Sequence, residues 1–114
     1  MSEDRLYDLV AEETQRARQC EDVHYDYKGA ERHLLKCIDY LKQLSDISAA
    51  KYQPYLYAYY DELCLLAYNK MRDRSLARRY ETEALKYAKL CAARNRAAHT
   101  ADVNLFEERL RNVL

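Results

Sequence analysis

The chain has one glycine and one proline in 114 residues. Sheets and tight hairpins need turn residues, so this scarcity argues for helices joined by short polar connections. Runs of Val, Ile and Thr that would build strands are also missing. No stretch approaches 18 apolar residues, which excludes an ordinary membrane-spanning helix. No Cys-x-x-Cys pair occurs among Cys20, Cys37, Cys64 and Cys91. A Gly-rich phosphate loop cannot be built from a single glycine. The opening MSEDRLYDLV has neither a basic segment nor an apolar segment, so it does not read as a signal peptide.

Apolar residues make up 49% of the chain, enough for a core and too many for disorder. The length suits one domain spanning residues 1–114, and the expected class is all-α with about five helices. A pattern of small and aromatic residues occurs twice, 47 residues apart. The first copy is Ala30, Leu34, Cys37, Ile38, Tyr40 and Leu41. The second is Ala77, Glu81, Ala84, Leu85, Tyr87 and Ala88. Small residues at i and i+7 let a neighbouring helix approach closely, as stacked helical hairpins require.

Periodicity places a first helix over about Glu3–Asp22, on Leu6, Val10, Ala17 and Cys20. A second covers about Tyr27–Leu44, on Ala30, Leu34, Cys37, Ile38, Leu41 and Leu44. A third spans about Ser48–Met71, with Pro54 either in its first turn or kinking it. Asp73 or Ser75 caps a fourth, which runs to about Arg94 on Ala77, Tyr80, Ala84, Leu85, Ala88 and Cys91. A polar linker, Arg94–His99, then precedes a fifth helix capped by Thr100 or Asp102, with Val103, Phe106, Leu110, Val113 and Leu114 on one face. The four cysteines fall on apolar stripes, where they act as small hydrophobes, and an intracellular, cytoplasmic or nuclear, location with reduced thiols is expected.

The third and fourth helices resemble a tetratricopeptide-type repeat. Tyr68 stands nine residues before Ala77 and sixteen before Ala84, matching that family's Tyr, Ala and Ala positions. Ala30 and Cys37 take the alanine positions in a looser first copy. Cys64 and Leu65 replace the usual Leu-Gly, and Lys89 stands where a closing Pro is usual, so the likeness is to a divergent member. The ending from Ala84 also resembles the C-terminal helical region of SMYD-type SET-domain proteins, without any SET or MYND segment. The first three helices would also suit a three-helix bundle of the microtubule-interacting-and-trafficking type. Each likeness implies peptide or protein binding. By family register, Glu12, Gln15, Gln19 and Asp22 of the first helix would line a groove. So would Tyr59, Glu62, Leu66, Asn69 and Lys70 of the third. Glu62 and Leu66 stand where a carboxylate clamp would need Lys and Asn, so a chaperone tail is not the expected ligand.

No catalytic set emerges, and the chain reads as a non-enzyme with no cofactor and no metal. His24, His33 and His99 have no local metal-ligand spacing, and no Glu-x-x-His pair suggests a di-iron bundle. Twelve tyrosines stand out, six of them between Tyr52 and Tyr68. Tyr is enriched at protein interfaces. Tyr52, Tyr55 and Tyr59 would either form an exposed strip or pack on the first or fifth helix. A self-complementary strip would give a homodimer. Residues 1–60 carry a net charge of −3 and residues 61–114 a net of +3. The basic residues Arg72, Arg74, Arg78, Arg79, Lys86 and Lys89 crowd the fourth helix and its entry. They suggest nucleic acid as an alternative partner, or a solvated face in which Arg78–Glu81 and Glu83–Lys86 pair. The expected function is an adaptor or scaffold that binds a segment of another protein. The alternatives are a nucleic-acid-binding protein and a non-catalytic helical part of a larger enzyme.

Overall fold

A computed structural model describes all 114 residues. It contains α1 (Glu3–Asp22), α2 (Tyr27–Ile47), α3 (Ala49–Asn69), α4 (Arg74–Arg94) and α5 (Arg96–Asn112), and no strand. The chain falls into two compact units, Met1–Tyr52 and Gln53–Leu114. Their boundary lies inside α3, beside Pro54. The helix runs through this proline, which lacks the N–H that would bond the carbonyl of Ala50.

In unit 1, the Ser2 hydroxyl accepts from the Arg5 amide to start α1, and Glu3 and Asp4 complement its N-terminal dipole. All six expected stripe residues of α2 are buried. Leu6, Val10 and Ala17 of α1 are buried as well, whereas Cys20 is half-buried. Burying a Leu is worth about 2 kcal/mol, so these stripes dominate the stability of the hairpin. The Cys37 thiol seals the pair, 3.5 Å from both the Val10 carbonyl and the Thr14 hydroxyl. Ser48 closes α2 through its amide and opens α3 through its hydroxyl.

In unit 2, Cys64 and Ala67 of α3 pack on Ala77 of α4, with Tyr68, Leu76, Tyr80 and Leu114 around them. The rings of Tyr60 and Tyr87 stack at 6.0 Å. Helix α5 packs through Phe106, whose ring meets Tyr57 edge-on at 5.7 Å. The expected Arg94–His99 linker shrinks to Asn95 alone. Its extended backbone ends α4, its side chain accepts from the Ala98 amide to start α5, and Ala97 and Ala98 favour immediate helix. Thr100 and Asp102 therefore lie inside α5 rather than capping it. Val113 is exposed, so only part of the anticipated face is covered.

The 47-residue repeat extends beyond the apolar pattern to the backbone. Shifted by 47, the bounds of α2 coincide with those of α4, and the start of α3 with that of α5. The turns correspond too. Asp26 donates its amide to the Cys20 carbonyl, and Asp73 to the Ala67 carbonyl. Tyr25 and Arg72, the preceding residues, are the two non-glycine residues of positive φ, at 52° and 57°. The next helix is then capped by Asp26 in one copy and by Asp73 in the other.

Candidate interaction surface

The tyrosines do not form one exposed strip. Tyr52 is 1% exposed, and its hydroxyl donates to Glu3 at 2.6 Å while Lys51 reaches the same carboxylate at 3.0 Å. It is a packing residue against α1, because its ring lies on the buried side of the first turn of α3. The hydroxyl and then Lys51 hold Glu3 below the usual carboxylate range. Tyr55 is 42% exposed, and Tyr59 and Glu62 are half-buried. Asn69 and Lys70 are exposed, whereas Leu66 is buried. On α1, Gln15, Gln19, Glu12 and Asp22 all face solvent, with Glu12 reached by Arg5 at 3.4 Å.

The basic residues Arg72, Arg74, Arg78, Arg79, Lys86 and Lys89 are all exposed, but they differ in what they hold. Arg78 donates to the Leu110 carbonyl at 2.7 Å, near the end of α5. The expected Arg78–Glu81 pair does not form, because Glu81 points into the core. Lys86 lies 3.9 Å from Glu83, as the spacing suggested, and 5.1 Å above the Tyr87 ring. Lys89 lies 3.9 Å from Glu107. Arg72 and Arg74 hold no such partner. With Tyr68 they line an open concavity of about 210 Å³ at the turn from α3 to α4.

Two polar clusters lie inside unit 2. The Tyr57 hydroxyl donates to Asp102 at 2.6 Å, which leaves its oxygen to accept from Nδ1 of His99 at 2.9 Å. Burial, then the Asp102 bond, pushes the Tyr57 phenol far above its usual range. Deeper in, Glu81 is 0% exposed, and its Oε2 accepts from Arg109 at 3.1 Å. The same guanidinium nitrogen also donates to Asp61. The second oxygen of Glu81 has no donor. Burial and then the neighbouring Asp61 raise the Glu81 carboxyl to about 8. Burial, then the charge of Glu81, lifts the Cys64 thiol to about 12, which removes its nucleophilic character near neutral pH. All four cysteines are free thiols.

In unit 1, Nδ1 of His33 donates to Glu13 at 2.6 Å. This bond ties His33 of α2 to α1. No three His, Cys, Asp or Glu side chains cluster to hold a metal ion. No helix is long and apolar enough to cross a membrane.

Sequence reasoning placed Tyr68 at a repeat position and spread Arg72 and Arg74 through a basic segment, so it missed that the three meet. The signal lay in the repeat: 47 residues earlier, the corresponding positions hold Glu21, Tyr25 and Tyr27. The chain matches no family model, no curated protein and no solved structure.

Proposed function

We propose that this chain is a protein–protein interaction module that docks a segment of a partner at the α3–α4 corner. The observation that carries this reading is the open concavity in which Tyr68 meets two cations without counter-ions. An aromatic side chain beside free arginines is the composition that recurs at binding hot spots. Tyr55, with Tyr59 beside it on α3, supplies further exposed aromatic area. The helical-hairpin repeat and the packing of Tyr68 on Ala77 support a divergent tetratricopeptide-like architecture. A scaffold or adaptor role follows, without chemistry of its own. Four free thiols suit a reducing compartment, cytoplasmic or nuclear. A nucleic-acid reading is less favoured, because Arg78, Lys86 and Lys89 already have partners.

The test is affinity capture from native lysate, with and without nuclease. It compares the wild-type chain with an Arg74→Glu variant and a Tyr55→Ala/Tyr59→Ala variant. A protein partner that resists nuclease and is lost with Arg74→Glu is the expected result. Recovery of nucleic acid alone would overturn the reading.

A further inference from the structure

The α1–α2 corner and the α3–α4 corner have the same backbone path, capping aspartate and left-handed residue. The first corner achieves this with Tyr25 and Tyr27, where the second has Arg72 and Arg74. The turn itself therefore requires no arginine. Electrostatics also disfavours one there: Arg74 is the first residue of α4, and cations at a helix N-terminus oppose its dipole. The first turn of α4 has no acidic residue, and the capping Asp73 carboxylate accepts from the Leu76 amide and pairs with neither arginine. Arg72 and Arg74, neither of which holds an ion pair, thus line a concavity of about 210 Å³ together with Tyr68.

We propose that this corner is a phosphate site that takes a phosphorylated side chain of the partner segment. The proposal rests on the interaction reading above and names the group recognised. A phosphate monoester carries a charge of about −1.5 to −2 at pH 7, which two arginines balance. A single carboxylate would leave one of them uncompensated. The planar guanidinium fork also binds phosphate oxygens in bidentate fashion, which sets orientation as well as attraction. The Tyr68 ring lies beside this charge as an apolar wall for the residue that bears the phosphate. A nucleic-acid strand would need a continuous track of free cations. Of the next basic residues along α4, Arg78, Lys86 and Lys89 are instead held by Leu110, Glu83 and Glu107, which leaves Arg79 a lone exposed cation between them.

The experiment is a titration of the ¹⁵N-labelled full chain, followed by amide NMR. The probes are the N-acetyl amides of phosphoserine and phosphotyrosine, the N-acetyl amide of glutamate, and a ten-nucleotide oligo(dT). Phosphate probes should shift amides of residues 68–76. An Arg72→Asn/Arg74→Gln variant should bind them at least tenfold more weakly, with its other amides unmoved. Asn is chosen at position 72 because it tolerates the left-handed backbone there. The glutamate probe should also bind at least tenfold more weakly than phosphoserine. Phosphate probes that leave residues 68–76 unmoved, or that bind the variant equally well, would overturn the proposal. Equal binding of glutamate would remove its phosphate selectivity. Oligo(dT) shifts that extend to Lys86 and Lys89 would replace it with a nucleic-acid surface. If phosphate probes fail while the partner of the wild-type chain is still lost with Arg74→Glu, the interaction module stands and the phosphate site falls.

Discussion

Each unit buries one glutamate among apolar side chains, and the two differ in the cations that face them. Glu13 in unit 1 is 4% exposed and accepts from Arg16 and His33, both at 2.6 Å. Burial alone would push its carboxyl up. The bonds from His33 and Arg16, with the charge of Lys36, outweigh that and hold it below the usual range. Glu81 in unit 2 shares its one guanidinium with Asp61 and has an oxygen without a donor, so its carboxyl is raised. The state of a buried carboxylate thus follows from whether its donors are its own or shared. Neither glutamate is demanded by the repeat. Glu81 corresponds to Leu34, a core leucine, and Glu13 to Tyr60.

The largest expected effect comes from removing the shared cation. Arg109→Met leaves Asp61 and Glu81 facing each other and should lose about 3 kcal/mol at pH 9 in urea unfolding. The loss should be smaller at pH 6, where Glu81 is protonated in the fold. Equal losses at both pH values would mean that Glu81 stays ionised throughout. Next is Glu81→Leu, which restores the residue the repeat has at position 34. The folded carboxyl lies near 8, above its ordinary 4.5, so the wild-type chain gives up stability as pH rises from 4.5 through 8. The variant should lack that slope and be about 2 kcal/mol more stable than the wild-type chain at pH 9, with the gap narrowing toward pH 5. Parallel pH curves would refute the assignment.

Unit 1 should respond in the opposite sense. The folded carboxyl of Glu13 lies below its ordinary value, so its contribution is fully present above pH 4.5 and is lost as pH falls through the folded value. His33→Ala removes one of its donors and should cost about 1.5 kcal/mol at pH 7. The cost should shrink in acid, where Glu13 is protonated in both states. A loss that does not change with pH would assign the effect to packing of the imidazole instead.

Helix positions and most of the core were legible in the sequence because they follow from period and propensity. The α2 stripe matches residue for residue, and α4 buries Ala77, Ala84, Ala88 and Cys91 as expected. What escaped was polar. Glu13 lies three residues after Val10, in register with the apolar stripe, but a glutamate there reads as surface until His33 is brought to it from another helix. Glu81 likewise looked like a surface partner of Arg78, because Arg109 is 28 residues away in sequence. Tyr52 has the composition of an interface residue, and only Glu3, 49 residues away, shows that it packs. The corner at Tyr68, Arg72 and Arg74 was hidden because a concavity is a property of the turn, not of composition.

The smallest effect tests whether the two capped turns are equivalent. A Cβ placed on Gly29 would lie 2.2 Å from Oδ2 of Asp26, which suggests that Gly29→Ala should expel the cap. In the second copy, however, Leu76 occupies the corresponding position, and Asp73 still accepts from its amide at 2.9 Å. The backbone angles of the two caps are similar, φ −93° and ψ 84° against φ −115° and ψ 91°. The Asp26 carboxylate can therefore turn to the arrangement of Asp73, and the three atoms nearest the added methyl all belong to that side chain. Alanine also forms helix better than glycine by about 0.5–1 kcal/mol. Gly29→Ala should then stabilise the chain by about 0.5 kcal/mol in urea unfolding, and Asp26→Ala should still cost about 1 kcal/mol in that background. A destabilised Gly29→Ala chain in which Asp26→Ala costs nothing would show that the caps are not interchangeable, and that glycine is needed for the first turn alone.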